Sequence, residues 1–514
     1  MIKINQLGYR PKDSKKAIVA PEVSTFQILT TPGEEIVYEA KTSDVVRSEA
    51  AEESVRFAEF SEFTTAGLYK IRTDAGDSDS FVIREDSYQS LRQSVLDFFP
   101  AQACGVDVQA GLWSHKACHA SLAYVLNEEG EEIGETKDVS GGWHDAGDYG
   151  RYPTPAAMAV AQLLWAHELS PNPKAEELSY TWFEIEWLLK MQGEVSGGVY
   201  HKVSCMKFCA LDMKPDDEKE KLIIAPVSLT ATANTVAVWA MASRFYPEKK
   251  EQLLQAALSG WDFCVKNVGM AGFKNPANVT TGEYGDDKTT DELFWAAAEL
   301  YVTTGEERFL LAMKEYGPSV GFGWREVGSF GIITFLEHAT SESETEFYQE
   351  CLALFLHEAR RLYTLYQTEP YGVSLGTHYT WGSNLSVGNH AMTLLLASRY
   401  VSEELREKYH KAAVDHMHYL LGCNALYTSF VSGFGRYPMT QPHHRPSVAI
   451  HVAMPGMVSG GPNGTTHADP ALLEECKGKP PAKCWVDHIE SYSSNEVAIY
   501  WNSSNYFVMA YLGF

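Results

Sequence analysis

The chain has no run of 18 apolar residues, so no stretch of it reads as a membrane-spanning helix. Cations are scarce: 42 Lys+Arg stand against 67 Asp+Glu, a formal net charge of −25. General nucleic-acid binders and anionic-membrane binders need clustered cations, so this balance argues against both classes. It is compatible with a neutral substrate and with bound cations. Cysteine is sparse, at nine residues in 514, and the count is odd. A chain of this size does not need disulfides, so free thiols or a metal site are the default expectation. The opening MIKINQLGYRP has no cationic segment followed by an apolar one, so no secretory signal is visible. The expectation is a cytoplasmic protein as the sequence stands, or a secreted one whose leader has been removed.

What is present is ordinary globular composition, 45% hydrophobic and 21% charged, enough for a sizeable core. Aromatics reach 12%, and aromatics serve both cores and sugar-binding clefts. The first 85 or so residues read as β. Val55, Phe57 and Glu59 alternate with Arg56, Ala58 and Phe60; Tyr69 and Ile71, then Phe81 and Ile83, repeat the period of two. Turn signals at 31–33, 66–67 and 74–80 separate these runs, which predicts a small antiparallel sandwich. From Ser87 onward the spacing becomes helical, with Leu91, Val95 and Phe98 on one face. Four stretches (156–169, 232–246, 292–301 and 389–400) are apolar nearly all round, so they should be buried on every side. More amphipathic helices lie between them, as at 251–268 and 402–421. Alternation of this kind suggests helical hairpins closed into a double-layered ring, or else an irregular all-α domain. Long loops at 428–446 and 454–469 should carry function.

Three segments carry candidate chemistry. Ser140-Gly-Gly-Trp-His-Asp-Ala-Gly-Asp148 places Asp145 and Asp148 in a Gly-rich loop, where backbone can approach a ligand closely. A calcium loop or a capped turn would use the same residues. Glu496 sits where a polar loop meets an apolar segment, so its carboxyl could be part-buried and raised in pKa, as a general acid requires. A helix-start carboxylate favoured by the dipole is the bland alternative. His443, His444 and Arg445 form a donor-rich cluster suited to hydroxyl groups, and adjacent histidines in a loop are poor ligands for one ion.

Together these segments resemble glycoside hydrolase family 9, the inverting endoglucanases. The likeness is carried by GGWHDAGDYGRY, Gly197-Gly-Val-Tyr-His-Lys202, Trp381-Gly-Ser-Asn384, the GFG…PHHRPS loop, Gly460-Gly-Pro-Asn463 and NEVAI. NQLGYRP resembles the opening of the immunoglobulin-like module that precedes the catalytic domain in one branch. The resemblance implies a mainly α fold: an Ig-like β-sandwich over 1–85 and an (α/α)6 barrel catalytic domain over 86–514. It implies Glu496 as general acid, Asp148 as general base, and Asp145 as the residue that helps hold the water and keeps Asp148 ionised. A Gly-rich polar loop favours an ionised pair. His443 and Arg445 match positions that contact sugar hydroxyls, and Trp381 matches an aromatic platform, with a core Trp as the alternative. Tyr500 departs from the residues that many members carry after NEVAI, which bears on the cleavage mode.

Cys104, Cys118, His119 and His144 form a Cys2His2 set of the kind that tetrahedral zinc takes in closed structural sites. Their spacing is not that of a zinc finger, and buried thiols beside a core histidine would look the same. The resemblance implies zinc at these four. It also implies calcium at Asp291 and Glu292, with Asp287 as a further ligand, in a segment that equally reads as a helix start capped by Thr290. No organic cofactor, nucleic acid or membrane partner is expected, and a monomer is. The expected activity is endo-β-1,4-glucanase on cellulose or β-glucan. Alternatives are exo-action on cello-oligosaccharides or on relatives such as chitosan oligosaccharides, and a carbohydrate-binding protein on an inactive scaffold. Retention of all three carboxylates argues against the last.

Overall fold

The computed structural model describes residues 1–343, 345–465 and 468–514. Residues 466 and 467 of the second long loop therefore lie outside the described residues. Two compact units divide the chain: Met1–Phe98 with Ala359–Phe514, and Phe99–Glu358.

The first unit begins with the strands β1 (Lys16–Val19), β2 (Thr25–Thr30), β3 (Ile36–Lys41), β4 (Val46–Ser48), β5 (Glu53–Glu59), β6 (Gly67–Thr73), β7 (Gly76–Asp77) and β8 (Phe81–Ile83). They form two antiparallel sheets, ordered β1-β5-β4 and β3-β2-β6-β7, with β8 also paired to β6. Inward residues of both sheets make one core, including Ile4, Phe26, Ile28, Phe60, Ile71, Phe81 and Ile83. Tyr69, Ile71, Phe81 and Ile83 are buried at the expected period. In β5 the alternation breaks: Val55 and Ala58 are buried and Phe57 is only half-buried. β5 pairs β4 through Val55 and its N-terminal neighbours and β1 through Arg56 onward, so its two halves serve different neighbours.

Tyr427, from the first long loop, inserts into this core, and its hydroxyl donates to Asp79 Oδ2 at 2.9 Å. Gln6 fastens the same loop. Its Oε1 accepts from Arg436 N at 2.9 Å and Tyr437 N at 2.8 Å, and its Nε2 donates to Tyr427 O at 2.9 Å.

Six helices are buried nearly all round among the described residues: α2 (Pro153–Leu169), α4 (Leu229–Phe245), α6 (Thr290–Thr304), α8 (Gly328–His338), α10 (Ser383–Ala397) and α15 (Ile499–Tyr511). The others of comparable length are half-exposed: α1 (Gln89–Ala101), α3 (Ala175–Lys190), α5 (Lys250–Lys266), α7 (Glu307–Tyr316), α9 (Glu346–Thr368) and α11 (Glu403–Leu420). In Phe99–Glu358, α2 packs on α3 and α4, α4 on α5 and α6, and α6 on α7 and α8; in the other unit α10 packs on α11 and α15. Local chemistry sets the ends. Pro153 opens α2 where no backbone donor is needed, and Ser228 Oγ accepts from Ala231 N to cap α4. Gly305, at φ 73°, closes α6 in the left-handed conformation that glycine adopts without strain. Short strands absent from the sequence reading lie between helices, among them Ala123–Leu126 and Glu132–Lys137.

One ion pair inside the first unit is buried. Lys16 Nζ lies 2.8 Å from Asp415 Oδ2, and Asp415 also accepts from Ser14 Oγ and Tyr366 Oη, each at 2.7 Å. Burial alone would raise this carboxyl; Lys16 foremost, then His418 and Ser14, bring it down to about 2. A carboxylate depressed in the fold adds stability above its ordinary value near 4, and that stability is lost as pH falls from about 4 towards 2. Lys16→Met leaves the charge buried and unpaired. It is expected to lower unfolding free energy by about 3 kcal/mol at pH 7 in denaturant titrations. The difference from wild type should shrink below pH 3, and a constant difference would contradict the assignment.

Candidate active site

In Phe99–Glu358 the Gly-rich loop is held from several sides. Cys104 N donates to Gly142 O at 2.9 Å and His144 N donates to Gln102 O at 2.8 Å. Gln102 Nε2 returns bonds to the carbonyls of His144 and Ala146. Arg151, fully buried, donates from Nη1 to Val139 O and Gly141 O, each at 2.6 Å. Gly142 has φ +76°, and a Cβ there would stand 2.5 Å from the Trp187 ring, so only glycine fits.

Asp148 Oδ2 accepts from Gly150 N at 2.9 Å and from Tyr152 Oη at 3.3 Å, so the capped-turn geometry is present. Asp145 is 1% exposed; Tyr284 Oη donates to its Oδ2 at 2.5 Å, and its Oδ1 has no partner among the described residues. Burial pushes the Asp145 carboxyl well above the usual range; the Tyr284 bond opposes this and the neighbouring Asp148 adds to it. Burial thus favours the protonated form of Asp145, against the expected ionised pair, while the Tyr284 hydroxyl favours the carboxylate. Tyr284 holds φ +45°, a conformation rare outside glycine.

Cys104, Cys118, His119 and His144 come together in the same unit, each offering a ligand atom, all within 4.8 Å of one another. Cys118 Sγ lies 4.0 Å from Cys104 Sγ and 3.7 Å from His144 Nε2. Nδ1 of His119 is buried without a hydrogen-bond partner, whereas its Nε2 lies 3.0 Å from Glu218 Oε2. That is the arrangement in which a carboxylate fixes a ligating imidazole and leaves the other nitrogen for a metal. Burial raises the Cys104 thiol, but Cys118, Arg151, His144 and His119 together bring it well below its ordinary value, which favours the thiolate a metal needs. The donor set therefore fits a tetrahedral thiolate–imidazole ion.

The acidic segment before α6 is arranged differently from expectation. Asp291 and Glu292 lie buried in the first turn of α6, while Thr290 is its first residue and not its cap. Asp287 is exposed, and Asp286 has the buried Oδ2. Asp291 Oδ1 and both oxygens of Glu292 lack hydrogen-bond partners among the described residues. Burial, then Asp291 and Asp286, hold the Glu292 carboxyl well above its usual range. Among the described residues only the cysteine–histidine set gathers three or more ligand atoms as closely as a shared ion needs.

In the other unit, α12 (Arg445–Ile450) follows the histidine loop, and α13 (Pro470–Glu475) and α14 (Tyr492–Asn495) precede α15. Glu496 is half-buried between Asn495 and the fully buried Val497, two residues ahead of the Ala498 cap of α15. It is outside the first helical turn, so the helix-start alternative does not apply. Its carbonyl accepts from Gly460 N at 2.8 Å, and its backbone bridges that of His443. His443 Nδ1 donates to Ile489 O at 2.6 Å, since a carbonyl can only accept. The His443 ring stands 5.9 Å from Tyr492, which in turn stands 5.3 Å from Trp381. Trp381 is 47% exposed, which excludes a core role. Arg445 is buried at the first position of α12. Tyr500 is buried beside Trp501. The two units thus divide the expected residues: Asp145, Asp148 and the metal set in one, Glu496, His443, Arg445 and Trp381 in the other.

The family model for glycosyl hydrolase family 9 matches residues 88–509. The chain belongs to glycosyl hydrolase family 9. A second model, for the cellulase N-terminal ig-like domain, matches residues 1–78. The chain is similar to a cellodextrinase of Butyrivibrio fibrisolvens, 32% identical over 99% of this chain and 98% of that protein. Among solved structures, a single-mutant thermostable endoglucanase from Alicyclobacillus acidocaldarius matches with a TM-score of 0.92 at 34% identity, over 99% of each chain. A Zn-binding triple mutant of the family 9 endoglucanase J30 matches with a TM-score of 0.91 at 28% identity, over 98% of this chain and 99% of that one. The fold class is accordingly an (α/α)6 barrel with an N-terminal Ig-like β domain, and the protein is a glycoside hydrolase.

Within this family 9 chain, four supporting residues escaped the sequence reading. Tyr284 sat in the segment read as a calcium loop, and Glu218 in a charge run (216–221) that reads as solvated surface. Gln102 lies two residues before Cys104 and Arg151 lies inside GGWHDAGDYGRY, but nothing in composition marks either as a clamp.

Proposed function

We propose that this family 9 hydrolase cleaves β-1,4-glucosidic bonds of cellulose-type chains with inversion. Glu496 is the general acid, Asp148 the general base, and Asp145 the residue that helps hold the attacking water and keeps Asp148 ionised. Inverting hydrolysis requires one carboxyl to protonate the leaving oxygen and another to activate water at the opposite ring face. The observation that carries the reading is the family match over 88–509 with all three carboxylates retained on the motifs quoted above. Supporting it, Glu496 is half-buried ahead of the buried Val497 and Ala498, and burial of a carboxyl favours the protonated form that a general acid needs. His443 and Arg445 are assigned to sugar hydroxyls, and the exposed Trp381 face to stacking on a sugar ring.

Zinc is assigned to Cys104, Cys118, His119 and His144, where it would hold the loop that carries Asp145 and Asp148. The partnerless His119 Nδ1 supports this. Calcium is assigned to Asp291 and Glu292, with Asp287 as a further ligand; the buried Glu292 oxygens without hydrogen-bond partners among the described residues support it. We place the boundary between the Ig-like and catalytic domains at 85/86. A second reading, action on short cello-oligosaccharides, is favoured by the full-length similarity to a cellodextrinase.

A product profile separates the two. Endo-action gives rapid viscosity loss on carboxymethyl cellulose with mixed products. Oligosaccharide action gives glucose or cellobiose from cello-oligosaccharides with viscosity nearly constant. No release of reducing sugar from carboxymethyl cellulose, lichenan, cello-oligosaccharides or chitosan oligosaccharides would overturn the assignment.

A further inference from the structure

Seven cysteines have no part in the metal set, and two of them are neighbours in space. Cys476 terminates α13, and Cys484 follows the short turn Pro481–Lys483. With Leu472 they form a small apolar cluster of their own. The intervening chain is folded tightly over them. Lys479 N donates to Cys476 O at 2.9 Å, Cys484 Sγ lies 3.4 Å from Pro480 O, and Cys476 Sγ lies 3.9 Å from Lys483 O. The two cysteines are 7% and 6% exposed, and Lys477, Gly478 and Lys479, which follow Cys476 in sequence, are exposed.

The surroundings give this pair a mechanical position. Ala482 N donates to Ala50 O at 2.9 Å, and Lys483 Nζ lies 2.8 Å from Glu53 Oε2, both in the β4–β5 region. Immediately after, Cys484 O accepts from Asn463 N at 2.7 Å, and Trp485 Nε1 donates to Ser459 Oγ at 2.8 Å. Between those two anchors lies Gly460, whose N–H holds the Glu496 carbonyl.

We propose that Cys476 and Cys484 are a disulfide-forming pair, closed by a small-molecule disulfide, and that closure braces the Gly460–Asn463 segment against the β4–β5 turn. The chemistry balances as two exchanges. The Cys476 thiolate attacks one sulfur of the oxidant and expels a small thiolate, leaving a mixed disulfide. The Cys484 thiolate then attacks Cys476 Sγ and expels the second small thiolate. Two protein thiols are oxidised by two electrons, the reagent's S–S bond is reduced, and the two protons end on the released thiols. The neighbouring Cys484 keeps the Cys476 thiol below its ordinary value, which suits it to the first attack.

The test uses the full chain, incubated without denaturant with oxidised glutathione, then alkylated and mapped by mass spectrometry. The expected result is one peptide pair joined through Cys476 and Cys484. The melting temperature should rise by about 2–5 °C and return on adding dithiothreitol. Cys484→Ser should show neither the cross-link nor the rise. The map of wild-type protein stands even if that variant folds poorly. Glutathione attached singly at either cysteine, a cross-link confined to Cys104 and Cys118, or full alkylation of Cys476 and Cys484 after oxidant would each overturn the proposal.

Discussion

Replacing Asp148 with Asn, or Glu496 with Gln, is expected to lower hydrolysis of β-glucan by about 10²-fold or more, the scale on which a positioned acid or base acts. The two losses should differ in kind. A general acid matters in proportion to the basicity of the leaving oxygen. A cellobioside with a dinitrophenolate leaving group should therefore restore much of the Glu496→Gln rate. Asp148→Asn should stay slow on both substrates, because water activation is needed whatever departs. Asn keeps the shape that accepts from Gly150 N and Tyr152 Oη, so the loop is retained and the loss reads out chemistry. Stability measured beside activity checks this. Near-wild-type rates in either variant, or equal rescue of both by the activated substrate, would remove the assignment of roles.

The second large effect concerns the metal. Purified protein is expected to contain about one zinc per chain, and its removal by a strong chelator to lower the melting temperature by about 10 °C or more, since structural zinc sites contribute heavily to folding. Activity should fall with it, because His144 is bonded to Asp145 and both its flanking carbonyl contacts run through Gln102. Glu218→Gln offers a milder probe. It keeps the volume but weakens the partner of His119 Nε2, and should reduce zinc affinity by about 10–100-fold with the fold intact. Zinc-free protein with full activity, or Glu218→Gln with unchanged affinity in a competition titration, would refute this picture.

Much of the architecture was legible. The period-two runs of Tyr69–Ile71 and Phe81–Ile83 place their side chains in the sandwich core, and four apolar stretches announce buried helices. Two further buried helices, α8 and α15, were not announced. In α15 the polar run Asn502-Ser-Ser-Asn505 is buried, because its side chains find partners in a loop and in α10: Asn502 Oδ1 accepts from Val458 N, and Ser504 Oγ donates to Asn389 Oδ1. A polarity pattern reports where water is absent only when side chains have no other partners. The site shows the same limit. The motifs pointed to Asp145, Asp148 and Glu496, but the hydroxyl that bonds Asp145 comes from Tyr284, 139 residues away in sequence. Glu218 reaches His119 across 99 residues. Asp287 and Asp286 are adjacent letters, and only the path of the backbone decides which turns inward.

Gln6 and Tyr427 give the N-terminal β region a different standing from that of an appended module. The strap from Gln6 grips the chain at 436–437, a few residues before the histidine loop, and Tyr427 closes the sandwich core from outside it. A fragment cut at the proposed 85/86 boundary loses the Gln6 grip on the loop at 436–437 and bares an aromatic ring. Shuffling this hydrolase with a foreign N-terminal module therefore means carrying residues 6, 79 and 427–437 as one cassette.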